Sequence, residues 1–237
     1  MQSFLRLKKD AIMTVSLIIT AAGNSSRMCG EDKIFAILSG KPIIVHTLNC
    51  FKSYDFFNQI ILVVNKNNLT KTKNIIQGLK IQIPITICAG GATRQESVKL
   101  GMKKIKKADF VVIHDGARPI VEKTIITNGM KYVKKSGAAI PTIPITETIK
   151  LIEKNHPIKT LPRENIHIVQ TPQFFKFDIL KKAQKIVQNL FTDESSLVEQ
   201  INITPTIFPG SKKNIKITEK QDLELAKYYL KKDNIND

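Results

Sequence analysis

Apolar and polar positions fall in blocks along this chain. From Ser16, the residues Leu17-Ile18-Ile19 form an apolar, β-branched run that ends in Ala21-Ala22-Gly23, the pattern of a buried strand entering a tight loop. A second apolar piece covers Ile34 to Leu38. Gly40-Lys41-Pro42 punctuates it, and Pro42 suits the first turn of a helix over roughly 42–53, with Ile43, Val45, Leu48 and Phe51 on its apolar face. His46 reads as helix packing rather than as a base. Gln59 to Val64 and Ile83 to Cys88 repeat the buried-strand pattern, with a polar helix predicted over 69–79. Strand, helix, strand at this spacing is the βαβ unit of a mostly parallel sheet. Phe110 to Ile113 is a fourth buried strand, and a helix follows near 122–135.

The second half alternates more finely. Thr148 to Ile152 is answered by Ile158 to Arg163 across a turn-rich Glu153–Pro157, which predicts an exposed hairpin inserted between sheet elements, of the kind that meets another subunit. Phe174, Phe175 and Phe177 read as core, and Thr171-Pro172-Gln173 as a bend within reach of a ligand. Thr192 to Ser196 opens a short helix, and a strand is predicted near Thr204 to Phe208. Asn214 to Thr218 reads as a short strand with Lys216 between apolar neighbours. Thr218 and Gln221 predict a capping box for a last helix to about Leu230, leaving 231–237 as a disordered tail.

At 237 residues with no internal repeat, the chain fits one α/β domain. A composition 42% hydrophobic and 24% charged excludes pervasive disorder. The 37 Lys+Arg against 20 Asp+Glu give +17, a balance that suits a polyanionic partner. Yet the lysines are scattered, with no stacking surface of interleaved aromatics, so no nucleic-acid partner is expected. Cys29, Cys50 and Cys88 are too widely spaced for zinc and too few for a disulfide framework, which points to a reducing compartment such as the cytoplasm. No apolar span approaches the length of a membrane helix. Residues 1–13 are basic but lack a signal-peptide core; Met13 fits as a start, and the extension fits a targeting remnant for a plastid-type compartment.

Three places carry candidate chemistry. The loop Gly23-Asn24-Ser25-Ser26-Arg27 has the small residues that let backbone N–H groups approach phosphate, and a cation to grip it; an ordinary turn with a surface arginine fits the same residues. It has neither the dinucleotide G-x-G-x-x-G spacing nor the G-K-[ST] ending of a P-loop. The second place is Gly90-Gly91-Ala92-Thr93-Arg94-Gln95-Glu96-Ser97. There Thr93 and Glu96 form a capping box for a helix to about Ile105, with the glycines at its positive end; a glycine turn with an ordinary cap reads equally well. The third is His114-Asp115-Gly116-Ala117-Arg118-Pro119, where ionisable residues follow a buried strand at the sheet edge that forms α/β ligand sites. Asp115 can hold a metal or a substrate hydroxyl, and Arg118 a phosphate or Asp115 itself.

In order, AAGNSSRM, GGATRQESV, HDGARP, ETIK, QTPQFF, TDESSLVE and NIKIT resemble the motifs of the 2-C-methyl-D-erythritol 4-phosphate cytidylyltransferase family, over nearly the whole chain after residue 13. The resemblance implies a Rossmann-like nucleotidyltransferase fold, a mostly parallel sheet flanked by helices with a projecting β-arm through which two copies dimerise. By the same resemblance, backbone at Ala21, Ala22 and Gly23, with Gly91 and Ser97, holds CTP, and Arg27 and Lys33 grip its triphosphate. Asp115, Arg118, Thr148, Arg163 and Lys216 hold the polyol phosphate, Thr148 and Arg163 reaching in from the partner's arm. Arg27, Lys33, Arg163 and Lys216 are the implied catalytic cations. Magnesium is implied on the CTP phosphates, with no protein metal ligands.

Such a reaction suits these residue types. The acceptor phosphate is itself the nucleophile, so alignment and charge neutralisation suffice and no Ser-His-Asp or Cys-His set is required. The chain departs from the family in three places. The segment from Met28 to Lys33 is one residue short, with Asp32 where proline is usual, which leaves Lys41 as the other candidate cation. Ser25 replaces a frequent glycine, and Ala92 stands where a base-reading polar residue occurs. A ribitol 5-phosphate cytidylyltransferase is the alternative acceptor reading, and a polyanion-binding module the more distant one.

Overall fold

The computed structural model describes residues 13–23, 32–186 and 189–233. Arg27, Ser25 and Cys29, most of the 28–33 segment and most of the N-terminal extension lie outside them.

The strand β1 (Val15–Ala21) is buried at every position but Thr20, which is partly exposed. Lys33–Phe35 forms a single 3-10 turn, and the bridge β2 (Ile37–Leu38) to β3 (Lys41–Pro42) brings the chain into α1 (Ile43–Asn49). Pro42 is the residue before this helix rather than its first turn. The helix ends four residues short of the predicted 53, and turns bonded from Cys50 to His46 and from Phe51 to Leu48 complete the segment. His46 packs as expected, with Nε2 2.6 Å from the Leu38 carbonyl.

Next come β4 (Phe57–Val64), α2 (Leu69–Gln77), β5 (Ile85–Ala89) and α3 (Arg94–Met102). Thr93 caps α3 by accepting the Glu96 N–H at 3.0 Å, while Glu96 reaches Ala92 N–H at 2.8 Å, one residue beyond the predicted partner. The strand β6 (Phe110–Asp115) runs two residues further than predicted, so His114 and Asp115 belong to the strand and not to a loop after it. The helix α4 (Lys123–Ser136) closes on Gly137 at φ 85°, a left-handed position that suits glycine.

After β7 (Ala138–Pro144), the hairpin β8 (Ile149–Glu153) and β9 (His156–Leu161) forms its own two-stranded sheet. Its turn is Lys154-Asn155, tighter than predicted, and Arg163 lies beyond β9 on a 3-10 turn. The remainder is β10 (His167–Val169), β11 (Gln173–Lys176), α5 (Phe177–Ile186), α6 (Glu194–Glu199), β12 (Thr206–Pro209) and α7 (Lys220–Asp233).

Eight strands make the main sheet, in the order β10-β7-β11-β6-β1-β4-β5, with β12 on β7. The strands β5, β4, β1 and β6 are parallel; β11 and β10 run against their neighbours. This is the mostly parallel sheet expected of a Rossmann-like nucleotidyltransferase.

One core cluster packs Leu17, Ile19, Leu62 and Val112 against Ile125, Ile126 and Phe174; another packs Ile18, Val63 and Ile113 against Val98, Phe175 and Leu197. Each such side chain, fully removed from water, stabilises by roughly 1.5–3 kcal/mol. Gly129 lets α4 approach β11, since a Cβ there would overlap the Phe174 ring.

Two predictions about the C-terminal segment are corrected. Asn214 to Thr218 forms no strand and pairs with none; Ile217 N–H donates to the Ala117 carbonyl at 2.8 Å and its side chain is buried. The final helix is capped by Asp222, whose carboxylate accepts Thr218 N–H at 2.7 Å and Glu219 N–H at 2.9 Å, instead of by Gln221. This helix also takes in residues 231–233 of the predicted tail; 234–237 lie outside the described residues. Among the described residues no helix is long and apolar enough to cross a membrane.

Candidate functional site

The strand β1 is flanked by β4 on one side and β6 on the other, so the strand order reverses at its carboxyl end, where open α/β sheets bind ligands. A cleft of about 480 Å³ opens there, within the range for small-molecule sites. One wall is Ala21, Ala22 and Gly23 at the end of β1; another is Gly90, Gly91 and Ser97 after β5; Lys33, Asp115 and Lys216 supply its charge.

The glycine loop is built from within. Gly90 N–H donates to the Val64 carbonyl at 2.8 Å, and Gly91 N–H to Ser97 Oγ at 3.1 Å. Ser97 Oγ in turn donates to the Thr93 carbonyl at 2.9 Å. Both glycine N–H groups are therefore committed to shaping the loop. A Cβ on Gly90 would run into Ala22 and lie 2.7 Å from Ser97 Oγ, so only glycine lets these two walls meet.

Asp32 accepts the Ile34 N–H at 3.4 Å and takes a second bond from Asn68 Nδ2. It thus caps the turn that presents Lys33 to the cleft, a job proline would do by fixing φ. Lys41, exposed on β3, does not line the cleft.

Asp115 is the electrostatic centre. Lys216 Nζ lies 3.0 Å and Arg118 Nε 3.5 Å from Oδ2, and Arg94 Nε 3.1 Å from Oδ1. Burial alone would raise the Asp115 pKa, but these three cations override it and hold the carboxylate ionised, well below its usual range. Arg94 also reaches Glu194 Oε2 with Nη1 at 2.7 Å. Glu194 is itself buried, and burial pushes its pKa up against the opposing pull of Arg94.

How the chain places Lys216 follows from its neighbours. Buried Asn214 donates from Nδ2 to the Thr171 carbonyl at 2.7 Å, and its own carbonyl accepts from Arg118 Nη1 at 2.7 Å. With Asn214 and Ile217 both fixed inward, Lys216 between them is turned towards Asp115. Arg118 is buried behind the cleft, so its guanidinium joins Asp115 to the 214 segment.

The profile of the 2-C-methyl-D-erythritol 4-phosphate cytidylyltransferase family matches residues 15–232. The chain belongs to that family. A 2-C-methyl-D-erythritol 4-phosphate cytidylyltransferase of Dehalococcoides mccartyi is 43% identical over 219 residues, covering 92% of this chain and 96% of the relative. Among solved structures, the 4-diphosphocytidyl-2C-methyl-D-erythritol synthase of Anaerococcus prevotii superposes with a TM-score of 0.82 at 26% identity, covering 92% of this chain and 96% of that one. The 2-C-methyl-D-erythritol 4-phosphate cytidylyltransferase of Francisella tularensis gives 0.75 at 34% identity, covering 91% and 99%.

Of the residues that the resemblance to the cytidylyltransferase family singled out, Ala21, Ala22, Gly23, Lys33, Gly91, Ser97, Asp115 and Lys216 come together in the cleft. Arg118 sits directly behind it. Thr148 and Arg163 do not line it: both are exposed near the base of the hairpin, where Arg163 Nη1 donates to the Thr146 carbonyl at 3.0 Å. Arg27 lies outside the described residues. The bend at Thr171 is buried beneath Asp115, whose N–H it accepts at 3.1 Å, rather than on the cleft lining. Sequence reasoning assigned no role to Arg94, Glu194 or Asn214. For Arg94 and Glu194 the only local trace is a charged residue in the first turn of a helix, a common surface feature.

Proposed function

We propose that this chain moves CMP from CTP onto 2-C-methyl-D-erythritol 4-phosphate at the β1–β6 cleft. An oxygen of the acceptor phosphate attacks the α-phosphorus of CTP in line; the new P–O bond forms as the bond to the β-phosphate bridging oxygen breaks, and pyrophosphate leaves. The observation that carries this reading is Asp115 with Lys216 at 3.0 Å, facing the alanine and glycine loops across one cleft. Ala21, Ala22, Gly23, Gly91 and Ser97 are assigned to CTP. Lys33 takes triphosphate charge, and Arg27 is assigned to share it. Lys216 and Arg118 attract the acceptor phosphate, while Asp115, kept ionised, accepts from its hydroxyls.

Magnesium is assigned to the CTP phosphates. Among the described residues no three His, Cys, Asp or Glu side chains are grouped to hold a metal, and Asp115 already faces three cations, a donor set that fits an ion carried by the nucleotide. When bound, it neutralises the leaving pyrophosphate.

The acting unit is assigned as a homodimer joined through the β-arm. Leu151, Ile152 and Ile158 on the hairpin, with Ile168 and Val169 on β10, leave their side chains about half exposed in one chain, an apolar surface that a second copy would cover. Thr148 and Arg163 would then enter the partner's cleft.

The decisive experiment measures pyrophosphate release from CTP and Mg²⁺ with 2-C-methyl-D-erythritol 4-phosphate and with ribitol 5-phosphate. Turnover with the former and a clear kcat/KM preference for it is expected. A preference for ribitol 5-phosphate would overturn the acceptor while leaving cytidylyl transfer in place; no release with either would overturn the reaction.

A further inference from the structure

The sequence segment Thr192-Asp193-Glu194-Ser195 has no place in the reaction as described, yet it is built with care. Asp193 caps α6, accepting Ser196 N–H at 3.1 Å and the Gln173 side-chain amide at 2.7 Å. Gln173 Oε1 in turn accepts the Ser195 N–H at 3.2 Å, pinning the first turn of α6 to β11. On the other flank, Gln95 on α3 accepts Phe191 N–H at 3.0 Å and donates to the Asn189 carbonyl at 3.2 Å. The product of this bracing is one side chain: Glu194, 1% exposed, bonded to Arg94.

Arg94 bridges two carboxylates with separate nitrogens, Nη1 on Glu194 at 2.7 Å and Nε on Asp115 at 3.1 Å. Its third nitrogen, Nη2, is buried and has no hydrogen-bond partner among the described residues. Arg94 also lines the cleft. A buried guanidinium nitrogen without an acceptor is costly, and a ligand oxygen is what would relieve it.

We propose that Arg94 is a further acceptor-site residue, its Nε steadying Asp115 and its Nη2 donating to an oxygen of the polyol phosphate, and that Glu194 is the positioning residue that orients it. The five groups Arg94, Arg118, Lys216, Asp115 and Glu194 carry three positive charges and two negative, so the cluster retains a net positive charge for a phosphate. Glu194 balances Arg94 from the side away from Asp115, so that Arg94 does not collapse wholly onto that carboxylate. The motif around Glu194 thereby acquires a function at the acceptor end rather than the nucleotide end.

The inference rests on the proposed acceptor site, and wild-type turnover, measured alongside, tells the two failures apart. Steady-state constants for both substrates and unfolding midpoints are compared for wild type, Glu194→Gln and Arg94→Lys, the latter keeping charge but losing the three-way fork. The acceptor KM should rise by at least about tenfold while the CTP KM stays within about twofold. In an Asp115→Asn background, Glu194→Gln should add little. Equal losses for both substrates, or lowered unfolding midpoints with unchanged KM values, would reduce Arg94 and Glu194 to structural roles. Should both variants fail to fold, the wild type still answers: with a non-hydrolysable CTP analogue bound, adding the polyol phosphate should shift the Arg94 guanidinium nitrogen resonances. Unshifted resonances would overturn the proposal.

Discussion

Thr171 Oγ1 lies 3.0 Å from His114 Nδ1 and takes the N–H of Asp115 at 3.1 Å, so one hydroxyl joins the buried histidine to the backbone of the site's aspartate. On the other side of the ring, Nε2 is 3.1 Å from the Arg118 carbonyl, which can only accept. Nε2 therefore carries the proton, and Nδ1 accepts from Thr171. The neutral ring is wired into both Asp115 and Arg118.

Burial accordingly pulls the His114 pKa down to about 4. Because this lies below the unfolded value of about 6.5, the unfolded chain binds more protons between the two; the stability is complete above about 6.5 and is lost as pH falls through that window. One such group contributes a slope of at most about 1.4 kcal/mol per pH unit, and His46, also lowered by burial, adds in the same direction. Denaturant midpoints should fall from pH 7.5 to pH 5, and His114→Gln should flatten that fall. A wild-type midpoint that does not change over this range would contradict the assignment.

Lys33→Ala should lower kcat by on the order of 10²-fold, the usual cost of removing a charge aimed at a transition state. Lys41→Ala should change it less than about twofold, since Lys41 is exposed and away from the cleft. Single-turnover rates separate the two. Full activity in Lys33→Ala would move the triphosphate contact elsewhere.

If the site is shared between copies, Arg163→Ala and Lys33→Ala chains should complement. Each homodimer should be impaired, and a mixture allowed to exchange subunits should recover activity, because a mixed dimer contains one intact site. Exchange proven by mass spectrometry without recovery would place both residues in the same chain's site.

Gly129→Ala should destabilise the fold by about 1–3 kcal/mol, because the added methyl meets the buried Phe174 ring and neither α4 nor β11 can move freely. Its CTP and acceptor KM values should stay within about twofold of wild type. Urea unfolding beside steady-state kinetics reads both.

What the sequence by itself determined is what local rules reach. Apolar runs of β-branched residues placed β1, β4 and β6 within a few residues, and Thr93 with Glu96 marked the start of α3, because strand pattern and capping act over one or two turns. Small residues after one strand and charges after another pointed to a ligand edge before any packing was known. Tertiary structure decided the rest. Asn214 to Thr218 alternates like a strand yet finds no strand to pair with, its backbone taken up by Ala117, Ser211 and Arg118. Asp222 outcompetes Gln221 as the cap because its short carboxylate can accept several N–H groups at once. Arg94 and Glu194 are 100 positions apart, and nothing in either neighbourhood names the other. A buried ion pair depends on which helices a sheet's topology brings together and on how much water they exclude, and neither is a property of any short stretch of chain.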